Sequence, residues 1–309
     1  MRPRIKVIST GKYVPPHIIT NAELETLVET SSEWIVSRTG ILRRRKAINE
    51  DASDMACKAA MAAIDKSGYD KKKIDLIVVA TITGDQMTPS TANFVQGKLG
   101  LDHEVMSFDV NAACSGFMYA LEVASSLLES GKFKAALVIG TERLTKIVDY
   151  TDRNTCVLFG DGAGAMIIEP STAASDETYF YNAARSDQND TLTVKRYIEM
   201  DGRKVYLFAV DIMEKSIRKI LAEAELSLDD IDIIIPHQAN ERIITAVAKA
   251  MKLPIDKFML NLSEYGNTSA ASIPISIAEY LDQAKQGAKR ILLVGFGGGY
   301  TWGSAILKV

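Results

Sequence analysis

Two kinds of hydrophobic pattern alternate along this chain, and the alternation runs through twice. Apolar positions at helical spacing over Ala52 to Lys66 lead into the near-continuous apolar run Ile74-Asp75-Leu76-Ile77-Val78-Val79-Ala80, and those over Val210 to Ala224 lead into Ile231-Asp232-Ile233-Ile234-Ile235. The two Ile-Asp pairs lie 157 positions apart. After each, the pattern predicts a short helix (Ser90 to Leu99; Asn240 to Met251), a strand (Glu104 to Val110; Lys257 to Leu262) and a turn. A buried helix (Phe117 to Ser130; Ala270 to Ala284) and a last apolar strand (Ala135 to Gly140; Arg290 to Gly295) complete each half. Strands that are apolar throughout, instead of alternating, belong to sheets covered on both faces. The expected fold is therefore α/β, with two similar halves packed together. The polar stretch Glu169 to Asp190 separates them, which sets the halves at 1–169 and 170–309.

Composition excludes several classes of function. Basic and acidic residues nearly balance, 36 against 39 for a net charge of −3, which argues against the basic footprint of a nucleic-acid binder. An anionic partner would have to be met by a local patch. The three cysteines Cys57, Cys114 and Cys156 are odd in number and lack C-x-x-C spacing, so they predict neither a disulfide framework nor a zinc site. No metal or redox cofactor is implied, and a reducing cytoplasm fits best. The N-terminus lacks a long apolar segment, and no later apolar run reaches the ~18 residues of a membrane span. The expectation is a soluble, unsecreted protein without membrane contact.

Chemistry concentrates where predicted strands end. In Asn111-Ala112-Ala113-Cys114-Ser115-Gly116 an extended run meets a helical one, so the Cys114 thiol lies at a helix's positive end, a condition that favours thiolate over thiol. Small neighbours would let a substrate carbonyl approach; a small buried hydrophobe is the bland alternative. Of the three histidines only His237, in Pro236-His237-Gln238-Ala239-Asn240, ends a buried-type strand, where ligands gather in such sheets. His17 and His103 read as surface residues. Asn267, in Tyr265-Gly266-Asn267-Thr268-Ser269-Ala270-Ala271-Ser272, is expected at the repeat position matching Cys114, 153 residues later, although Asn and Thr are also ordinary helix caps. In Gly295-Phe296-Gly297-Gly298-Gly299-Tyr300-Thr301-Trp302-Gly303 the glycines suit a tight turn and equally permit backbone N–H groups to face an oxyanion.

Together, in this order and spacing, these motifs resemble the thiolase-like condensing enzymes, and among them the β-ketoacyl-acyl-carrier-protein synthase III family, over essentially the whole chain. Ser32-Glu33-Trp34-Ile35-Val36-Ser37-Arg38-Thr39-Gly40-Ile41, Thr151-Asp152-Arg153 and Phe159-Gly160-Asp161-Gly162-Ala163-Gly164-Ala165 share in it. The resemblance implies a five-layer αβαβα arrangement, a homodimer, and Cys114, His237 and Asn267 as catalytic residues. Cys114 would be acylated by an acyl-CoA, the oxyanion being held by the backbone N–H groups of Cys114 and Gly298. Malonyl-acyl carrier protein would then lose CO₂, and its enolate would accept hydrogen bonds from a neutral His237 imidazole and the Asn267 amide, giving the 3-ketoacyl carrier protein that starts fatty acid synthesis.

For CoA, the resemblance places Trp34 and Arg153 on either side of adenine, Arg38 and Arg242 near the pantetheine and phosphate path, and Asn240 in the tunnel. The family's acidic carrier protein implies a basic patch, for which Arg242, Lys249 and Lys252 lie at offsets of seven and ten on one predicted helix. The run Arg43-Arg44-Arg45-Lys46 reads as a solvated face or as a contact for either partner. In Met87-Thr88-Pro89-Ser90, Thr88 stands where many short-primer members carry a phenylalanine that blocks the acyl pocket across the dimer interface. A smaller Thr88, with adaptable Met87 beside it, implies use of primers longer than acetyl.

Other readings stay open on the residues alone. Degradative thiolases carry a second cysteine in the glycine-rich loop, whereas none follows Cys156; elongating synthases use two histidines, whereas position 267 is asparagine. A CoA-primed ketosynthase or acyltransferase of secondary metabolism is the main alternative. A non-catalytic carrier-binding scaffold and a cysteine hydrolase with an asparagine-held histidine come from other classes.

Overall fold

The computed structural model describes residues 2–283 and 289–309; the last position of the helix expected over 270–284 lies outside them. The first 170 residues run β1 (Ile5–Tyr13), β2 (Ile18–Thr20), α1 (Asn21–Glu25), α2 (Ser32–Thr39), β3 (Arg43–Arg45), α3 (Ala52–Ser67), β4 (Leu76–Ala80), α4 (Thr91–Lys98), β5 (Met106–Val110), α5 (Gly116–Glu129), β6 (Ala136–Glu142), α6 (Arg153–Cys156) and β7 (Gly162–Pro170). The remainder runs β8 (Tyr179–Ala184), β9 (Leu192–Val194), β10 (Ile198–Met200), α7 (Gly202–Ala224), β11 (Ile233–Pro236), α8 (Glu241–Met251), α9 (Leu262–Tyr265), α10 (Ser272–Gln283), β12 (Arg290–Gly297) and β13 (Thr301–Lys308).

One sheet has the order β1-β7-β6-β4-β5, with β4 parallel to β5 and β6, and β7 antiparallel to β6 and β1. The other has the order β11-β12-β13-β8, with β11 parallel to β12 and the remaining pairs antiparallel. Each buried strand sends alternate side chains to opposite layers. Leu76 and Val78 of β4, Ile235 of β11 and Leu293 of β12 meet Phe117 and Leu121 of α5 and Ile273 and Ile277 of α10 in a central core. The intervening Ile77 and Val79 pack on Met55 and Ala59 of α3 and Val95 of α4. Likewise Ile234, Leu292 and Val294 pack on Met213 and Ile217 of α7 and Ile244 of α8. Two sheets thus enclose α5 and α10 and carry further helices outside, the five-layer αβαβα arrangement. Burying each such Leu or Ile contributes about 1.5–3 kcal/mol, which is why these strands read as unbroken apolar runs.

Two expectations are corrected. No regular strand forms over 257–262: Phe258 makes a single bridge to Ile234, Met259 N–H reaches the Ile234 carbonyl, and the Gln238 side chain replaces the rest of the ladder. Its amide donates to the Met259 carbonyl at 2.9 Å and its oxygen accepts from Asn261 N–H at 3.0 Å. Helix α7 also begins at Gly202, well before Val210, because Asp201 caps it by accepting from Lys204 N–H at 3.1 Å, a start signal that precedes its apolar stripe.

Candidate active site

The thiol sits where β5 gives way to α5. Ala113–Ser115 form a 3₁₀ turn that opens the helix, with Ala113 in the left-handed region at φ 48°. Cys114 is only 9% exposed. Burial pushes its thiol up to about 12; the nearby Ser269 hydroxyl opposes the shift and the Glu142 carboxyl reinforces it. The expectation that the helix end leaves Cys114 ionised is thereby corrected. Desolvation outweighs it, and the thiol holds its proton at neutral pH.

The end of β12 is pressed against this turn. A Cβ on Gly297 would lie 2.7 Å from the Cys114 nitrogen and 3.2 Å from the Ala113 Cβ, so only glycine lets the strand approach. Gly298 follows in the cavity wall beside Cys114. Thr301, which sequence reasoning missed, ties the two segments together: its hydroxyl lies 3.1 Å from the Ala112 carbonyl, 3.2 Å from the Gly298 carbonyl and 3.1 Å from the Ser115 hydroxyl.

His237 follows β11 directly and is 1% exposed, its ring 5.5 Å from that of Phe296 in an edge contact. Burial holds it down to about 3, hence neutral. Nδ1 lies 2.7 Å from the Ser272 hydroxyl, and Nε2 has no partner. The Ser272 oxygen also accepts from Gln238 N–H at 3.4 Å, and among the described residues its hydroxyl has no acceptor other than Nδ1; its proton is assigned there, which leaves the ring proton on Nε2. Ser272 lay within a motif already singled out, but nothing in the sequence marked its contact with His237.

Asn267 is fixed by its backbone. Its N–H donates to the Leu158 carbonyl at 2.8 Å, and its carbonyl accepts from Gly160 N–H at 3.0 Å. Gly266 before it takes φ 65°, where a Cβ would meet the Leu158 carbonyl at 2.6 Å. The Asn267 side-chain oxygen accepts from Ser269 N–H at 2.8 Å. The same contact recurs in the first half, where Asn111 accepts from Ala113 N–H at 3.3 Å, and Ala113 and Ser269 share a left-handed φ of 48° and 47°. The repeat partner of Asn267 is therefore Asn111, and Cys114 corresponds to Ala270; the expected pairing of Asn267 with Cys114 was three residues out of register.

Cys114, His237, Asn267 and Gly298 line one cavity of about 600 Å³, whose other walls include Ile82, Leu144, Ile147, Leu192 and Ile198. A second cavity of about 710 Å³ is lined by Trp34, Arg38, Asn240 and Arg242. Asn267, Met200 and Val205 line both, so the two meet at Asn267. Arg153 stands at the same mouth with its guanidinium on the Trp34 ring, 4.9 Å from its centre, and donates to the Glu29 carbonyl at 3.0 Å. No slot for a base is open between them; admitting one requires Arg153 to swing aside. Asn240 caps α8 and also donates to the Arg38 carbonyl at 3.1 Å.

Other residues fall elsewhere. Met87 and Thr88 are exposed and do not line this chain's own cavity. Lys252 is not on α8 but is its left-handed cap at φ 57°, while Arg242 and Lys249 are on the helix; all three are exposed. Arg44 is no solvated residue: it is 1% exposed, donates to Asn21 Oδ1 at 2.6 Å and to the Val157 carbonyl, and is lowered by burial to about 10. Its neighbour Arg43 pairs with Glu264 at 3.3 Å. Cys156 is buried and Cys57 partly exposed. His17 is exposed, whereas His103 is half-buried with Nε2 2.8 Å from the Ile74 carbonyl. Among the described residues no cluster of metal-ligating side chains occurs, and no helix is long and apolar enough to cross a membrane.

A thiol, a neutral imidazole and a carboxamide meeting between two similar halves suit acyl transfer to sulfur and stabilisation of an enolate, the chemistry of the thiolase-fold condensing acyltransferases. Residues 108–187 match the 3-oxoacyl-[acyl-carrier-protein] synthase III family, and residues 221–309 match that family's C-terminal part. A β-ketoacyl-[acyl-carrier-protein] synthase III of Acholeplasma laidlawii is 55% identical over 99% of this chain and 98% of the relative. One of Clostridium acetobutylicum is 48% identical over 98% of each. The crystal structure of 3-oxoacyl-[acyl-carrier-protein] synthase III from Aquifex aeolicus superposes with a TM-score of 0.95 at 44% identity, covering 99% of this chain and 100% of that one. The chain belongs to the β-ketoacyl-acyl-carrier-protein synthase III family, and the secondary-metabolism alternative is not favoured.

Proposed function

We propose that this chain condenses an acyl group delivered as acyl-CoA with malonyl-acyl carrier protein, using Cys114, His237 and Asn267. The observation that carries the reading is the common cavity that Cys114, His237 and Asn267 line, together with a His237 Nε2 left without a partner. Cys114 sulfur attacks the thioester carbonyl, its proton ends on the departing CoA thiol, and the Cys114 and Gly298 N–H groups hold the oxyanion. Loss of CO₂ from the malonyl group then leaves an enolate, which His237 Nε2–H and the Asn267 amide stabilise while its carbon attacks the acyl-cysteine. The Cys114 thiolate departs and takes up a proton, which its raised proton affinity favours. No metal or redox group enters these steps.

CoA runs from Trp34 and Arg153 past Arg38, Asn240 and Arg242 to Cys114, along the two joined cavities. The carrier protein docks on exposed Arg242, Lys249 and Lys252, which make no ion pair among the described residues. A cytoplasmic homodimer belongs to the same reading, with the exposed Met87–Thr88 loop closing the partner's acyl pocket. The apolar side chains Ile82, Leu144, Ile147, Leu192 and Ile198 in the cavity wall support a primer longer than acetyl. Turnover with acetyl-, isobutyryl- and hexanoyl-CoA is the test. All three should prime, Thr88→Phe should suppress hexanoyl, and priming by acetyl alone would reject the wider pocket.

A further inference from the structure

One buried acid touches the site without a part in the steps above. Glu142 is the last residue of β6 and is fully buried. It makes no salt bridge among the described residues, since adjacent Arg143 turns its guanidinium to Asp51 at 2.9 Å. Neutral donors hold it instead. Oε2 accepts from the Thr83 hydroxyl at 2.5 Å, the Thr81 hydroxyl at 3.3 Å and Ile82 N–H at 3.2 Å; Oε1 accepts from the Ser269 hydroxyl at 3.2 Å. A carboxyl kept in the core with no cation is costly even when neutral donors hold it, so its position calls for a reason.

The internal repeat shows what that position is. In the second half the end of β12, Gly297, abuts the Ala113–Cys114 turn of the first half. In the first half the equivalent strand end, Glu142 of β6, abuts the matching turn of the second half at Ser269. Ser269 has left-handed φ, which a non-glycine residue adopts only when its surroundings compel it. Its hydroxyl is held by Glu142, and its N–H holds the Asn267 side-chain oxygen, so the carboxamide nitrogen is left for the cavity.

We infer that Glu142 is a positioning residue for condensation: acting through Ser269, it fixes the turn that orients the Asn267 carboxamide, and it is not needed to acylate Cys114. This rests on the proposed role of Asn267 at the enolate. The test separates the half-reactions: acylation of the enzyme by acetyl-CoA, followed by intact mass, and consumption of preformed acetyl-enzyme by malonyl-acyl carrier protein. In Glu142→Gln the second should slow by about tenfold or more while the first stays within about threefold. Ser269→Ala, which leaves Glu142 in place, should slow the second step by a similar factor. In an Asn267→Ala background Glu142→Gln should add less than about twofold, because its route to the reaction is already gone. Parallel loss of both half-reactions in Glu142→Gln, or losses that multiply in the double variant, would overturn the proposal. Normal condensation by Asn267→Ala alone would remove the reading beneath it as well.

Discussion

Replacing Asn267 by aspartate changes one atom of the site and almost nothing of its shape. The side chain is 7% exposed, and its oxygen is committed to Ser269 N–H at 2.8 Å. In Asn267→Asp one carboxylate oxygen keeps that contact, and the other puts lone pairs and charge where the amide donor stood. Losing one preorganised donor typically costs about 2.7–4 kcal/mol of barrier, a factor of about 10²–10³. Repulsion between the new carboxylate and an enolate adds to this, so the condensation rate should fall by about 10³ or more. The assay is single-turnover reaction of acetyl-enzyme with malonyl-acyl carrier protein, with release of CO₂ and 3-ketoacyl product both followed. Asn267→Ala, which removes the donor without adding charge, should be impaired less than Asn267→Asp. Condensation by Asn267→Asp within about tenfold of wild type would refute the donor role.

Gly297→Ala places a Cβ 2.7 Å from the Cys114 nitrogen and 3.1 Å from the Thr301 hydroxyl; overpacking of about 1–3 kcal/mol should lower the melting temperature and slow Cys114 acylation, and unchanged acylation kinetics would contradict the tight apposition. His237 is depressed to about 3, so its contribution to stability is present above its unfolded value near 6.5 and is lost as pH falls from there toward 3, at up to about 1.4 kcal/mol per pH unit. Cys114 is raised to about 12, so its contribution is present below about 9 and is lost as pH rises from there toward 12. Urea unfolding across pH should show the acid limb flattened in His237→Ala and the alkaline limb flattened in Cys114→Ser, and limbs unchanged by these variants would show that other groups carry them. Arg242→Glu should weaken carrier-protein binding most at low salt, and its loss should converge with that of wild type as salt rises; salt-insensitive binding would discard the basic patch.

What the sequence disclosed is what repeats or what is chemically rare. Ile77 and Val79 face one helical layer and Leu76 and Val78 the other, so the strand had to be apolar at every position, and a covered sheet followed from that alone. Cys114 and His237 stood out because each follows a strand end, and Asn267 because of its place in the repeat; the structure brings all three to one cavity. Local patterns misled where a side chain replaced backbone pairing. Residues 257–262 read as a strand, yet the Gln238 side chain takes the Met259 carbonyl and the Asn261 N–H in place of ladder partners. Electrostatics misled at Cys114, because a helix end is visible in sequence and the depth of burial is not. Ser272 and Thr301 stand inside motifs that drew attention for other residues, and Glu142 stands outside them; nothing local marked their contacts, because their partners lie 35, 189 and 127 positions away.

The most direct test of the account is the mass of the intact protein after mixing with acetyl-CoA and then with malonyl-acyl carrier protein. One acetyl group should be held on Cys114, absent in Cys114→Ala, persisting until the carrier protein is added and then discharged as 3-ketoacyl product. An adduct that survives in Cys114→Ala, or one that hydrolyses before the carrier protein arrives, would contradict it.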